Sequence, residues 1–152
     1  MKFAVLTEQM PVASSAVFNL LHDYERRLDW DTLLREARLT RGSEKPEKGA
    51  TSICVGKPLF GLIGIETRYV AFEEAKVAAV TMINNPPFFA KFTASIRHKD
   101  NSDGSLLTYQ LQFSAKPRIL RWILEPIMLW ALKAETKKRL RSLSDYLAAS
   151  RG

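Results

Sequence analysis

From Phe88 to Lys99 the chain alternates. Phe88, Ala90, Phe92, Ala94, Ile96 and His98 fall on one side, and Lys91, Thr93, Ser95, Arg97 and Lys99 on the other. The next segment repeats the pattern, with Leu107, Tyr109, Leu111 and Phe113 opposed to Thr108, Gln110, Gln112 and Ser114. A period of two predicts strands of an antiparallel sheet with one face on a core and one in water. Four earlier stretches, "EARLTRG", "ATSICVG", "LIGIETRYVAFE" and "KVAAVTMIN", are rich in β-branched and aromatic residues, as strands are. The segments between them, "GSEKPEKG", "KPLFG", "EEA", "NNPP" and "DNSDG", have turn chemistry. Short turns between successive strands predict a meander.

The pattern differs at both ends. "KFAVLTEQM" reads as a strand with mixed faces, stopped by Pro11. "ASSAVFNLLHD" has a serine cap and helical spacing through Val17, Leu20 and Leu21, and "YERRLDW" reads as a second short helix. The C-terminal segment from Leu120 to Ala148 predicts one helix of roughly 43 Å. Strands and helices are segregated, so the class is α+β. The predicted order is one strand, two short helices, about six strands, then a long helix.

That last helix carries two apolar stripes. Trp122, Leu129, Leu132, Thr136, Leu140, Leu143 and Leu147 form one along its length, expected to lie on the sheet. Ile119, Ile123, Ile127, Trp130 and Ala134 form a second, confined to the first half. The run between Arg118 and Lys133 is too short to span a bilayer, and Arg121 and Glu125 interrupt it. Pro126 is expected to kink the helix, and across such a kink the two stripes could partly merge. Otherwise the second stripe must meet a ligand, a second subunit or a membrane surface.

The length of 152 residues with 46% hydrophobic content suits one domain over residues 1–152. No linker, repeat or low-complexity segment divides it. The net charge of +7 is compatible with nucleic acid, an anionic membrane, an acidic partner or simply a solvated basic surface. Nucleic acid is disfavoured, because the aromatics fall with the aliphatics on strand faces rather than along a basic groove. Peripheral contact with an anionic membrane and a homodimer through the second stripe remain open. A single cysteine, Cys54, excludes an internal disulfide, and two histidines with it make a zinc site a poor expectation. Asp29, Asp31 and Glu36 lack metal-site spacing and read as a solvated helix end. No metal and no cofactor are predicted. The N-terminus lacks a secretory signal pattern, so a cytoplasmic protein is expected.

"VFNLLHDYERRLDWDTLLREARLT", with Val17 and Phe18 in the first helix, Asp23 at its end and Trp30–Asp31 shortly after, resembles the opening of the SRPBCC superfamily, the START and polyketide cyclase-like helix-grip proteins. The order of elements is similar over nearly the whole chain. The resemblance implies a helix-grip fold, a curved antiparallel sheet of six or seven strands wrapped around the C-terminal helix, with a deep apolar cavity between them. It does not imply one chemistry. The leading expectation is binding or transport of a hydrophobic small molecule (a lipid, isoprenoid or polyketide-like compound). The alternatives are a cyclase or dehydratase-type enzyme in the same cavity and a macromolecular interaction module using the basic surface.

The expected ligand-binding residues are Tyr69, Phe92, Tyr109, Phe113, Ile123, Ile127 and Trp130. Tyr69 and Tyr109 offer hydroxyls in an apolar wall, and with His98 they are the candidates for catalysis. His98 is also explained by an exposed strand rim, and His22 by a cation at a helix end. Cys54 reads as a small apolar residue. Glu66 and Arg68 share a strand face, as a buried or an exposed pair. Gly56, Gly61 and Gly64 lack phosphate-loop spacing and suit a hairpin and sheet curvature.

Overall fold

The structure is a computed structural model, and it describes residues 2–57 and 63–151. Strand β1 (Lys2–Met10) is followed by helices α1 (Ser14–Leu21) and α2 (Arg27–Trp30). Six strands follow: β2 (Leu34–Thr40), β3 (Thr51–Gly56), β4 (Gly64–Glu73), β5 (Val77–Met82), β6 (Phe89–Asn101) and β7 (Gly104–Ala115). One 3-10 turn (Arg118–Leu120) leads into α3 (Arg121–Arg151), a helix of 31 residues. The turn expected at "KPLFG", and Gly61 with it, lies largely outside the described residues.

The seven strands form one antiparallel sheet in the order β1-β7-β6-β5-β4-β3-β2. This is the helix-grip arrangement. β2 to β7 pair as a meander, and β1 closes onto β7 with Lys2 opposite Phe113 and Met10 opposite Ser105. β1 and β2 therefore stand at opposite edges, and α1 and α2 carry the chain from one to the other. The β6–β7 turn presses on the end of β1. A Cβ at Gly104 would lie 2.2 Å from the Met10 carbonyl oxygen, and its φ of +139° suits only glycine.

α1 begins differently from the expected serine cap. Ser14 is in its first turn, and Asp100 at the end of β6 supplies the cap, accepting from the Ser14 N–H at 2.8 Å and from its hydroxyl at 3.1 Å. A carboxylate there complements the helix dipole.

The alternation of β6 holds from Phe92 onward and fails before it. The ladder with β7 slips between Phe89 and Lys91. The bulge turns Phe89 inward, leaves Ala90 outside, and puts Phe88 at a positive φ of 70°.

The core has three centres. Met10, Val17, Leu20, Leu21, Trp30, Leu107, Leu140, Leu143 and Leu147 join α1, α2 and the C-terminal half of α3. Phe89, Ala94, Leu111 and Phe113 pack with Met128, Leu129 and Leu132 of α3. Phe18, Ala50, Tyr69 and Ala78 form a third centre over the middle strands. Each large buried side chain is worth about 1.5–3 kcal/mol.

α3 runs unbroken through Pro126. Its docking stripe starts at Leu129, because Trp122 is 76% exposed. The second stripe does not merge with it. Ile119, Ile123, Ile127 and Trp130 all point outward, Trp130 with 73% of its surface exposed. Among the described residues no helix is long and apolar enough to cross a membrane.

A cavity with a hydroxyl chain and a buried ion cluster

Between the sheet and α3 lies a cavity of about 430 Å³. Its wall on the sheet side is built by Ile63, Ile65, Val80, Phe89, Phe92 and Ile96, and on the helix side by Leu124, Met128, Ala131 and Leu132. Phe88, half exposed, also lines it. The volume falls in the range of small-molecule sites.

Tyr69, Phe92 and Tyr109 of the sequence-expected residues line this cavity. Phe113 is fully buried behind the wall, packed on Phe89 with ring centroids 6.1 Å apart. Ile123, Ile127 and Trp130 lie on the outer side of α3, so the expectation that they border the cavity is corrected. The helix face that does border it runs Leu124, Met128, Ala131, Glu135, Arg139. That stripe ends in two charged residues, so counting apolar positions alone passes over it.

His98 is not with the two tyrosines. Its ring meets Phe18 at 5.6 Å, and neither ring nitrogen has a partner among the described residues. Burial, opposed by the charge of Asp100, holds its pKa down at about 4. Glu66 does not pair with Arg68. It accepts from Arg41 at 3.1 Å and from the Thr40 hydroxyl at 2.7 Å.

One wall of the cavity carries a chain of polar side chains. The Tyr24 hydroxyl donates to Ser52 Oγ at 3.0 Å, the Tyr69 hydroxyl lies 2.6 Å from that of Tyr24, and His22 Nδ1 lies 2.8 Å from the Tyr69 hydroxyl. With Tyr24 as donor to Ser52, Tyr69 donates to Tyr24, and the His22 tautomer that completes the chain carries its proton on Nδ1. Nε2 is then a bare acceptor, and it has no partner among the described residues. His22 is thus no helix-end cation. Burial first, then the charges of Arg27 and His98, lower its pKa to about 3. Burial likewise pushes the Tyr24 phenol up and the Tyr69 phenol well up. The chain is neutral throughout the physiological range.

Beside it lies an ion cluster. Asp31 Oδ2 accepts from Arg27 Nε at 2.9 Å and from Arg139 Nη2 and Nε at 3.0 and 3.2 Å. Its Oδ1 accepts the Leu33 N–H at 3.1 Å. Asp31 is buried, which corrects its reading as a solvated helix end. Burial would raise its pKa, but Arg139 and Arg27 outweigh that and hold it at about 2. Arg27 also donates to the Leu21 carbonyl at 3.2 Å and stacks over Trp30 at 5.2 Å. Both arginines line the cavity, as does Cys54, whose thiol is pushed up mainly by burial. Among the described residues no three His, Cys, Asp or Glu side chains group as a metal site.

The chain from residue 4 to residue 148 matches the family model described as polyketide cyclase / dehydrase and lipid transport. No curated protein sequence matches it. Solved structures similar to it include TTHA0849 from Thermus thermophilus, with 10% identity, a TM-score of 0.83 and coverage of 99% of this chain and 100% of that one. The Zhui aromatase/cyclase from Streptomyces sp. R1128 is similar at 12% identity and a TM-score of 0.79, over 97% of this chain and 93% of that one. A START superfamily protein from Mycobacterium smegmatis has 12% identity and a TM-score of 0.76, over 95% of this chain and 98% of that one. At such identities these structures speak for the fold alone. The family match spans almost the entire grip, sheet and long helix together, and on it the chain belongs to the polyketide cyclase/dehydrase and lipid-transport family.

Proposed function

We propose that the protein binds a hydrophobic small molecule, such as a lipid, isoprenoid or polyketide-like compound, between the sheet and α3. The observation that carries this reading is the cavity of about 430 Å³ with aliphatic and aromatic walls. Native mass spectrometry of the purified protein, with solvent extraction, tests it. The expected result is a bound small molecule, or uptake of an added apolar fluorescent probe that Ala131→Phe blocks. A protein that neither carries nor takes up any such molecule overturns it.

A second reading is a cyclase or dehydratase-type enzyme, favoured by the His22–Tyr69–Tyr24 chain on one wall. General acid–base work is most efficient with pKa values near the working pH. The depressed imidazole and raised phenols are far from that, so binding is the better supported function. Turnover of a polyketide-like substrate lost in Tyr69→Phe, with binding retained, would reverse this order.

A further inference from the structure

We propose that the apolar ligand carries a carboxylate, seated against Arg27 and Arg139. This rests on the binding reading above and adds the chemistry of the ligand's head. The cluster holds two guanidinium groups and one carboxylate, a surplus of one positive charge. Asp31 already accepts four hydrogen bonds, three from Arg27 and Arg139 and one from the Leu33 N–H. Arg27 Nη2 and Arg139 Nη1 have no hydrogen-bond acceptor among the described residues, and both side chains line the cavity. Glu135 is the other carboxylate on the described wall, and it faces Lys138 at 3.4 Å. A buried cation without its own counter-ion is costly. A carboxylate suits the paired N–H geometry of guanidinium, while its tail fills the aliphatic end of the same cavity.

Binding of cis-parinaric acid and of its methyl ester, followed by probe fluorescence, tests this. The wild type should hold the acid about tenfold or more tightly than the ester. Arg139→Gln should lose that preference, read as the ratio of acid to ester affinity, and Arg139→Lys should keep part of it. Equal wild-type affinity for acid and ester overturns the carboxylate assignment alone, as does a preference that survives in Arg139→Gln. Binding of neither probe overturns the apolar-ligand reading and this one with it. The wild-type comparison stands even if a variant fails to fold.

On the opposite side of α3 the geometry points to an anionic lipid surface as a docking partner. Ile119, Trp122, Ile123, Ile127 and Trp130 are exposed together on the segment whose inner residues line the cavity. The exposed charges along this segment are the cations Arg118 and Lys133. Its one acid, Glu125, is buried, where it pairs with the half-buried Arg121 at 3.7 Å and accepts the Ala115 N–H at 3.0 Å. Tryptophans flanked by Arg and Lys on an apolar helix face, in a run too short to span, fit a helix lying in a headgroup layer. Charge complementarity selects an anionic surface over a second copy of this equally basic face.

Co-sedimentation with vesicles of phosphatidylcholine alone, or with added phosphatidylserine, tests the assignment. The protein should pellet with the anionic vesicles, less so at high salt, with a blue shift of tryptophan emission. The doubly substituted Trp122→Ser/Trp130→Ser protein should stay in solution with an unchanged melting temperature. Equal recovery with both vesicle types overturns the proposal. So does a dimer in analytical ultracentrifugation that this variant abolishes.

Discussion

The hydroxyl of Tyr24, just after α1, lies 2.6 Å from the hydroxyl of Tyr69 on β4. This contact joins the helical segment to the middle of the sheet at the cavity wall. Tyr69→Phe removes the central member of the chain and leaves the His22 Nδ1–H without its acceptor. The expected loss is about 1–3 kcal/mol of stability with the fold retained, measured by urea melts. A change near zero would mean that the hydroxyls are solvated rather than joined.

Trp30 is the larger anchor. It is 4% exposed, it stacks on Arg27, and its carbonyl accepts from the Ser142 hydroxyl on α3. Trp30→Ala should cost about 3–5 kcal/mol, read as a drop in denaturation midpoint. Loss of the near-ultraviolet tryptophan signal without destabilisation would argue against the anchoring role.

Stability should fall with acid earlier than carboxylate titration alone would bring about. His22 and His98 have folded pKa values of about 3 and about 4, below the ordinary 6.5. Between those values the unfolded chain binds more protons than the folded one. Stability therefore declines as pH drops below 6.5, by up to about 1.4 kcal/mol per pH unit for each histidine. Asp31 adds its loss only from about 4 downward to about 2. Urea melts between neutral pH and pH 4.5 in wild type and in His98→Gln should show the slope reduced in the variant. Parallel slopes would place His98 in solvent.

Much of this architecture was legible from periodicity. Leu107, Leu111 and Phe113 occupy the inward positions that alternation assigns them, because burial on one face leaves no other register. The bulge at Phe89 was not legible, since an extra residue leaves no mark in a run where every residue from Pro86 to Ala90 is apolar. The ion cluster was not legible either. Arg139 meets Asp31 across 108 residues of chain, a separation that no local spacing encodes. Tyr69 stood out as a mid-strand phenol, whereas Tyr24 sat in a charged stretch that reads as surface.

The two faces of α3 should separate in mutagenesis. Ala131→Phe projects a ring into the cavity and should weaken probe binding about tenfold or more. Ile127→Ser, on the outer face, should leave the cavity affinity within about twofold. Fluorescence titration of both variants checks this. Equal weakening would mean that the helix rotates or lifts when the ligand enters.

The pairing of β1 with β7 has a consequence for synthesis on the ribosome. The first strand to emerge has its sole sheet neighbour in the last, with Met10 opposite Ser105. The meander from β2 to β7 can pair strand by strand as it appears. β1, with Phe3 and Val5 uncovered even in the finished protein, must wait through all of it. Its long-range closure belongs to the slow class of folding events, so the nascent domain presents β1 unpaired until β7 has been made, when a chaperone that shields such edges would matter most.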